Sequence, residues 1–514
     1  MRNLQIDLSP EEYHSNDRLR QAVARQLGVR TDDIAHCTVT RRSIDCRRRN
    51  VMYHTTLQVS FVGEPMDESV PETAHYRDCR TSKPVVIVGA GPAGLFAALR
   101  ALESGLRPII VERGKPVDER RRDIAAMARN HSVNPESNWC FGEGGAGTFS
   151  DGKLYTRSTK RGDVNSVLRQ FVAHGADPDI MLDAHAHIGT DRLGGIIARM
   201  RETIETYGGE YHFNTRVADL IVDNGQVHGV VCTDGSRYEG IAVVLATGHS
   251  ARDIYQLFYR HGWLLEAKPF ALGVRVEHPQ ELINQIQYHG AGYSRLLPPA
   301  TYSLVTQVGK HGVFSFCMCP GGVIVPAATA DGQQVVNGMS NSKRNSPYAN
   351  SGIAVTVGLD DVKDSDVFAL LRFQQQVEQR AFEAGQNAIN APSQRLTDFL
   401  ARRTSTRLNE SNYLGTCVSA PLHEVLPKFV VDSLIQGFKD FDRKMHGFVT
   451  DQASLLAVES RTSSPVRIPR DKDSLQHPQL QGLYPCGEGA GYAGGIVSSA
   501  LDGIRCIDAI SLQM

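Results

Sequence analysis

The chain has 514 residues, and its 55 Lys and Arg residues nearly balance its 56 Asp and Glu residues, which leaves a net charge of −1. The length predicts roughly two to four domains, and the balanced charge excludes a global field that would gather nucleic acid or an anionic membrane. The ten cysteines lack the spacing of a disulfide framework. The start lacks an apolar signal-peptide core, and no uncharged apolar run reaches the roughly 18–20 residues of a membrane span. We therefore expect a soluble cytoplasmic protein.

The first 80 residues predict a small α+β domain. Residues 4–8 alternate in polarity, residues 16–27 have helical spacing, and residues 51–61 are rich in β-formers. The segment 62–83, rich in Gly, Pro, Asp and Thr, is typical of a linker. Arg41, Arg42 and residues 47–49 make this domain locally basic. Nucleic-acid contact and a solvated face are both open, and the lack of an aromatic RNA signature favours the solvated face.

The segment 84–112 predicts a strand, a glycine turn, a helix and a second strand, which is the context that a dinucleotide fingerprint requires. Gly89 permits the tight turn, Gly91 lets the backbone approach a pyrophosphate, and Gly94 lets the helix pack closely on the strand. The second strand ends at Glu112, near the spacing of a ribose ligand, and an acid there disfavours a 2′-phosphate. This segment predicts a site for adenosine diphosphate, which NAD and FAD share.

Three later segments favour FAD. The loop 140–153 is dense in glycine and hydroxyls, so that its N–H groups suit phosphate or ribityl oxygens. Residues 243–248 predict a strand that runs into a small-residue turn beside a cofactor edge. Residues 483–496 place a glycine-rich turn before an apolar helix, where Glu488 could accept ribityl hydroxyls and helix amides could stabilise reduced flavin. A strand-rich, glycine-rich stretch at 265–360 predicts a separate sheet that faces the substrate.

In this order, these segments resemble the glutathione-reductase-like superfamily of two-dinucleotide-fold flavoproteins. More narrowly, residues 42–45, 141–154, 187–191, 315–322 and 459–467 resemble one bacterial family of uncharacterised FAD-dependent dehydrogenases or NAD(P)/FAD-dependent oxidoreductases. The resemblance implies an α/β fold, α+β overall, in which a Rossmann-like FAD-binding domain carries an inserted strand-rich substrate domain and a small N-terminal α+β domain. We predict domains at 1–80, 81–260, 261–450 and 451–514, the last returning to the FAD-binding domain.

The resemblance also implies which residues hold the cofactor. They are Gly89, Gly91, Pro92, Ala93, Gly94, Glu112 and Arg113 in the fingerprint; Gly144, Gly145, Ala146, Gly147, Thr148, Ser150, Asp151, Gly152 and Lys153 in the loop; Val217 at the adenine; Ala246, Thr247 and Gly248 at the strand end; and Gly487, Glu488, Gly494, Gly495 and Ile496 at the flavin.

Two features of the disulfide reductases are missing from the sequence. There is no Cys-x-x-x-x-Cys or Cys-x-x-Cys, which removes the usual dithiol relay. There is also no second G-x-G-x-x-G after a strand, so we expect no dedicated NAD(P)H domain. The electron donor stays open between NAD(P)H bound transiently and another reductant.

Sulfur and charged side chains in the predicted substrate sheet are candidates for chemistry. Cys317 and Cys319 would share one face of a strand, either as a thiol pair near flavin or as buried structural cysteines. Arg275, Glu277 and His278 offer a cation, an acid and a base that could orient a carboxylate substrate and move a proton, or they form a charged strand edge.

Further candidates for pocket charges are Lys153, Glu459, Arg461 and Arg467, with ordinary surface charge as the alternative. An Arg or Lys beside the flavin would favour its reduced anion, and an Arg could clamp an acidic substrate. His185 and His187 have strand spacing but no third or fourth ligand nearby, so we predict no metal site.

Two functions remain open from the sequence. In the first, a donor reduces FAD, and the flavin passes hydride to a small organic substrate at the 265–360 sheet. In the second, the basic amino-terminal domain docks RNA and FAD serves modification or sensing. The balanced net charge favours the first.

Overall fold

The computed structural model describes residues 2–64, 75–130, 132–156 and 162–513. Part of the predicted linker, residues 65–74, lies outside them. The fold is mixed α/β, as predicted. Among the described residues, no helix combines the length and apolar character needed to cross a membrane.

The amino-terminal domain is a three-stranded antiparallel sheet with two helices. Its elements are β1 Arg2–Leu8, α1 Pro10–Tyr13, α2 Asn16–Leu27, β2 Ile34–Asp45 and β3 Met52–Phe61. Strand β3 lies between the other two strands. The Ser15 hydroxyl caps α2, and Gly28 ends it with a φ of 69°, which a glycine adopts without strain. The buried side chains of Leu8, Val23 and Leu57 belong to the core that the inserted domain forms.

Arg42 joins this domain to the rest of the protein. Its guanidinium donates to both Asp183 oxygens, at 2.5 and 2.9 Å, and to the Tyr13 hydroxyl at 2.6 Å. Arg47 pairs with Asp45 at 2.7 Å. Two arginines of the predicted basic patch are therefore engaged within the protein.

The Rossmann-like domain comes next. Its first part contains β4 Pro84–Val88, α3 Pro92–Glu103, β5 Arg107–Val111, α4 Val117–Asn130, α5 Val164–Ala173, α6 Thr190–Thr206, β6 Glu210–His212, β7 Val217–Asp223, β8 Gln226–Cys232, β9 Arg237–Glu239, β10 Val243–Leu245 and α7 Arg252–Arg260.

The inserted domain follows. Its elements are β11 Glu266–Ala267, β12 Phe270–Pro279, α8 Gln280–Gln287, β13 Val305–Val308, β14 His311–Cys319, β15 Gly322–Pro326, β16 Val336–Ser340, β17 Tyr348–Val357, α9 Ala369–Ala384, β18 Ala391–Arg395, α10 Leu396–Leu400, β19 Cys417–Ser419, α11 Leu422–Val425, α12 Lys428–Lys444, β20 Ser454–Glu459 and β21 Val466–Arg467. The chain then returns to the Rossmann-like domain with β22 Leu483–Pro485 and α13 Ile496–Ser511.

The Rossmann-like sheet has five parallel strands in the order β22, β10, β4, β5, β6. Its central strands are apolar at nearly every position because both faces are covered. Helices α3 and α13 cover one face, where Phe96 and Ile507 are buried. Helix α7 and the three-stranded sheet of β7, β8 and β9 cover the other, with Val230 and Phe258 in the core.

The inserted sheet has seven strands in the order β13, β14, β17, β12, β20, β18, β19. Helix α12 packs against it through Phe438 and Phe441. Strand β20 is hydrogen-bonded between β12 and β18. The domain boundary predicted at residue 451 is therefore corrected, because β20 belongs to the inserted domain. Its hydrogen bonds to β12 and β18, which are distant in sequence, were not visible in the local pattern that predicted a return to the FAD-binding domain.

Candidate cofactor and active site

Three glycine turns meet at one edge of the Rossmann-like sheet, where the parallel strands β4, β10 and β22 all end. Gly89 has a φ of 104°, and a β-carbon there would lie 2.5 Å from the Ala246 carbonyl oxygen. A β-carbon on Gly489 would lie 2.5 Å from the Gly248 carbonyl oxygen. These contacts show that glycine is needed for the strand ends to approach so closely.

The loop 142–153 packs against the first turn and the last helix. The Gly144 amide donates to the Ala90 carbonyl at 2.8 Å. A β-carbon on Gly147 would lie 3.2 Å from Ile496 Cγ1 and 3.4 Å from Pro92 Cγ. The structure therefore brings together the fingerprint, the loop and the carboxyl-terminal turn, three segments that are far apart in sequence.

The amino termini of α3 and α13 open at this edge. Their N-cap residues are Gly91 and Gly495, which have no side chain to cap the helix. No side chain of the N-cap residue therefore accepts a hydrogen bond from the backbone amides of the first turn. A β-carbon on Gly91 would meet only the Gly145 Cα, at 3.8 Å, and one on Gly494 or Gly495 would meet no atom within 4 Å. This open, amide-rich cradle fits a pyrophosphate beside α3 and an extended flavin ring beside α13.

Glu112 has a structural role that sequence reasoning missed. Its carboxylate is buried and accepts hydrogen bonds from the amides of Ala90, Gly114 and Gly142 at 2.8, 2.9 and 3.0 Å. It thereby joins the fingerprint turn to the loop. The predicted contact between Glu112 and a ribose hydroxyl stays a prediction. The carboxylate has about four acceptor sites, so one remains for the ribose after these three hydrogen bonds.

Arg120, on α4, is the other residue that sequence reasoning missed. It is fully buried, and its guanidinium donates to the carbonyls of Asn138, Trp139, Gly142 and Glu143 at 2.8 to 3.3 Å. Burial lowers the pKa of Arg120 to about 10, and it still carries a charge at neutral pH. In the sequence, Arg120 is the first of three consecutive arginines. Nothing in that pattern distinguishes it from Arg121 and Arg122, which are exposed.

Several other predicted cofactor residues contact protein groups. Arg113 stacks on the Phe141 ring at 4.1 Å and pairs with Glu136 at 2.9 Å. Asp151 is buried and pairs with Arg344 at 2.6 Å. Thr148 donates to the Glu143 carbonyl, Ser150 donates to the Gly147 carbonyl, and Val217 is buried in the same apolar cluster as Val111.

Arg275 and Glu459 form a buried ion pair on the inserted sheet. Their side chains are 0% and 2% exposed, and Nη1 lies 2.5 Å from the carboxylate oxygen. Burial raises the pKa of Glu459 to about 7, although Arg275 opposes this shift. Gly338 and Gly352 leave room for the pair, since a β-carbon on Gly338 would lie 2.5 Å from Arg275 Nη2 and one on Gly352 would lie 3.1 Å from Glu459 Cγ.

Cys317 and Cys319 lie next to this pair, where Arg275 Nη2 donates to the Cys317 carbonyl at 2.6 Å. Lys153, from the glycine loop, donates to the Met318 carbonyl. The regular alternation that would place the two cysteines on one face is broken, because the pairing of β14 shifts between Phe316 and Cys319. Five predicted residues, namely Lys153, Arg275, Glu459, Cys317 and Cys319, are thus brought together.

Arg461 belongs to a second buried charge cluster. It donates to Glu378 at 3.1 and 3.2 Å, and Arg252 donates to the same carboxylate at 2.9 Å. Arg252 and Arg461 together outweigh the desolvation of Glu378 and hold its pKa at about 2. His249, which sequence reasoning did not single out, lies beside this cluster and 3.9 Å from Glu488. Burial lowers the pKa of His249 to about 4.

Glu488 lies in the carboxyl-terminal turn, near Lys268 and Cys317 of the inserted domain. Burial raises its pKa to about 7; Lys268 opposes the shift and Cys317 adds to it. Arg467 lies farther out and pairs with Glu266 at 3.4 Å. The turn thus carries an acid that can exchange a proton near neutral pH.

His278 is not brought together with Arg275. Strand alternation places it on the other face of β12, where its Nε2 lies 2.8 Å from the Phe448 carbonyl oxygen and its ring packs on Phe448. Burial lowers its pKa to about 4. The predicted grouping of base and cation is corrected, because residues three positions apart on a strand point to opposite faces of the sheet.

The burial of Glu277 predicts that the stability of the protein depends on pH. It is 1% exposed, its Oε2 has no partner among the described residues, and burial raises its pKa from 4.5 to about 7. The folded state therefore binds more protons than the unfolded state between these values, so this residue destabilises the protein as pH rises through them. We expect Glu277→Gln to gain stability relative to the wild type by about 3 kcal/mol between pH 4.5 and 8. Thermal unfolding of both proteins across this range tests it, and parallel profiles would contradict it.

A cavity of about 570 Å³ lies among Lys83, Ala242, Gly482 and Tyr484. These residues adjoin the amino-terminal ends of β4, β10 and β22. Ligands of open parallel sheets bind outside the carboxyl ends of the strands. We therefore do not assign this cavity to the cofactor.

A Rossmann-like domain with a three-part glycine cradle defines an FAD-binding protein, and comparisons with known sequences agree. Residues 269–462 match the model for "FAD-dependent protein, C-terminal domain-like", residues 83–257 match "Pyridine nucleotide-disulphide oxidoreductase", and residues 1–60 match a domain of unknown function. An "Uncharacterized protein" of Clostridium beijerinckii is 40% identical over 511 residues, which cover 96% of this chain and 95% of that protein. The chain belongs to this family of FAD-dependent proteins, as the sequence resemblance implied, and FAD is its cofactor.

Solved structures with low similarity were also found. CtdE in complex with FAD is 12% identical, with 84% of each chain covered and a TM-score of 0.34. The halogenase PltM is 10% identical, with 84% of this chain and 69% of that chain covered and a TM-score of 0.40. The tetracycline destructase Tet(51) is 13% identical, with 84% and 82% covered and a TM-score of 0.33.

Proposed function

We propose that this protein is an FAD-dependent oxidoreductase that transfers hydride between the bound flavin and a small organic substrate. The observation that carries the proposal is the position of the inserted sheet. Its buried Arg275–Glu459 pair and its cysteines adjoin Lys153 of the glycine loop, so polar groups that can handle a substrate lie beside the cofactor cradle. When bound, flavin supplies the hydride chemistry.

The residues of this chain would position the reactants and handle protons. The free amides of α3 would hold the pyrophosphate, and the amides of α13 would favour negative charge on the reduced ring. The carboxyls of Glu459 and Glu488 have pKa values of about 7, so either can hold or release a proton at neutral pH. Lys153 would attract an anionic group of the substrate.

We propose NAD(P)H, bound transiently, as the electron donor. The match of residues 83–257 to the pyridine nucleotide-disulphide oxidoreductase model supports this choice. We expect NADH or NADPH to bleach the flavin absorbance of the purified holoprotein under anaerobic conditions, with dithionite as the positive control. If dithionite bleaches the flavin and neither nucleotide does, a nicotinamide donor is ruled out and another reductant must serve.

A further inference from the structure

Two cysteines lie at a bulge where strand β14 ends. Cys317 has a φ of 46°, a left-handed conformation that is uncommon for a residue with a β-carbon and costs on the order of 1–3 kcal/mol. Cys319 returns to the ladder opposite Asn350. The Cys319 thiol donates to the Cys317 carbonyl at 3.2 Å. The bulge thus folds the Cys319 side chain back onto Cys317, whereas a regular strand would space the two residues apart along its length.

The surroundings of the pair hold this conformation. Arg275 donates to the Cys317 carbonyl at 2.6 Å, and Lys153 donates to the next carbonyl, that of Met318. Both cations also stabilise a thiolate. The Cys319 hydrogen bond, together with Lys153 and Arg275, lowers the pKa of Cys317 to about 5, whereas the pKa of Cys319 is raised. The surroundings therefore favour a thiolate on Cys317 and a protonated thiol on Cys319.

A second thiol pair in the protein lacks these features and serves as an internal comparison. Cys486 and Cys506 are both 0% exposed, and their mutual hydrogen bond and burial raise the pKa of Cys486 well above its usual value. The nearby Arg470 is already paired with Asp502 at 2.6 Å. Proximity to a second thiol therefore does not lower the pKa of Cys486, and Cys317, which is partly exposed, differs from it.

The Cys317–Cys319 pair also lies beside the cofactor cradle. Lys153, which contacts it, belongs to the glycine loop, and the charge of Cys317 adds to the raised pKa of Glu488 in the carboxyl-terminal turn. Loop and turn are two of the three segments that form the cradle.

We propose that Cys317 and Cys319 are a redox-active dithiol that carries electrons between the bound flavin and a small organic disulfide. This proposal rests on the function proposed above and names its substrate class. The proposed relay is a Cys-x-Cys pair on the inserted sheet. It differs from the Cys-x-x-x-x-Cys and Cys-x-x-Cys pairs of the disulfide reductases, which this sequence lacks.

The reaction balances as follows. The Cys317 thiolate attacks one substrate sulfur, and the other substrate sulfur leaves and takes a proton from water. Cys319 then attacks Cys317 Sγ, its proton passes to the second leaving sulfur, and the Cys317–Cys319 bond forms. Reduced flavin, as the anion that α13 would favour, would supply the two electrons and the one proton that regenerate the Cys317 thiolate and the Cys319 thiol, so the only other proton consumed is the one taken from water.

The first test counts electrons. The holoprotein is oxidised with excess ferricyanide, which leaves no mixed disulfide on a lone cysteine, then desalted and titrated anaerobically with dithionite, which reduces flavin whether or not NAD(P)H does. We expect the wild type to take up about twice as many electrons per bound flavin as Cys317→Ser or Cys319→Ser, because the disulfide accepts one additional pair. Cys506→Ala is the matched control and should behave like the wild type. Equal uptake by the wild type and the two serine variants would overturn the proposal and leave the oxidoreductase function standing.

The second test traps the mixed disulfide in FAD-free protein. With 5,5′-dithiobis(2-nitrobenzoic acid), we expect Cys319→Ser to retain one nitrobenzoate adduct on Cys317 by mass spectrometry. In the wild type, Cys319 should displace that adduct and leave an internal disulfide. A stable adduct on Cys317 of the wild type, or no adduct on Cys317 in the variant, would contradict the proposed roles.

Discussion

Replacing Gly91 with valine is expected to give a folded protein that binds no FAD. A β-carbon at this position meets only the Gly145 Cα at 3.8 Å, and the φ of −75° suits any residue, so the protein itself tolerates the side chain. The added methyl groups would fill the space that the pyrophosphate needs. We expect the affinity for FAD to fall about 100-fold or more, which corresponds to about 3 kcal/mol or more.

Gly94→Ala is the matched comparison, because it adds a smaller side chain at a position that has no room. Its β-carbon would lie 1.9 Å from the Gly89 carbonyl oxygen, so the helix must move away from the strand. We expect this variant to lose stability as well as FAD. Cofactor absorbance gives the occupancy, and thermal unfolding of the FAD-free proteins separates the effects, since bound ligand itself stabilises a fold. Normal FAD occupancy in Gly91→Val would contradict the assignment of the cradle.

Arg120→Met is expected to disorder the glycine loop and to abolish FAD binding together with much of the stability. The substitution removes the Arg120 donor from four carbonyls, and those of Asn138 and Trp139 then have no hydrogen-bond donor among the described residues. An unsatisfied buried polar group costs about 1–3 kcal/mol, so these two, with the bonds lost at Gly142 and Glu143, should lower the free energy of unfolding by about 3–5 kcal/mol.

Arg122→Met is the control for this experiment, since it removes an exposed arginine from the same helix. We expect it to change stability by less than about 0.5 kcal/mol and to leave FAD binding intact. Limited proteolysis at residues 138–148 reports directly on the loop. Equal behaviour of the two variants would show that Arg120 does not organise the loop.

The sequence by itself determined that the cofactor is FAD, and it predicted the three glycine-rich segments that meet at one edge of the Rossmann-like sheet. The fingerprint around Gly91, the loop before Lys153 and the turn around Glu488 are local patterns of strand, glycine and helix, and each can be recognised within a short window. The family followed from the same segments. These patterns also predicted the inserted sheet, because strand periodicity is a local property.

Only the tertiary structure decided how the charged and sulfur groups are combined. Arg275 and Glu459 pair across 184 positions of the chain, and a single sequence does not record such a pairing. The same applies to Arg120, whose four carbonyl partners are set by how the loop folds around it. Strand alternation placed His278 on the far face, while a bulge brought Cys317 and Cys319 into contact. Local sequence propensity predicts the helices and strands, but packing between segments far apart in sequence determines which side chains come into contact.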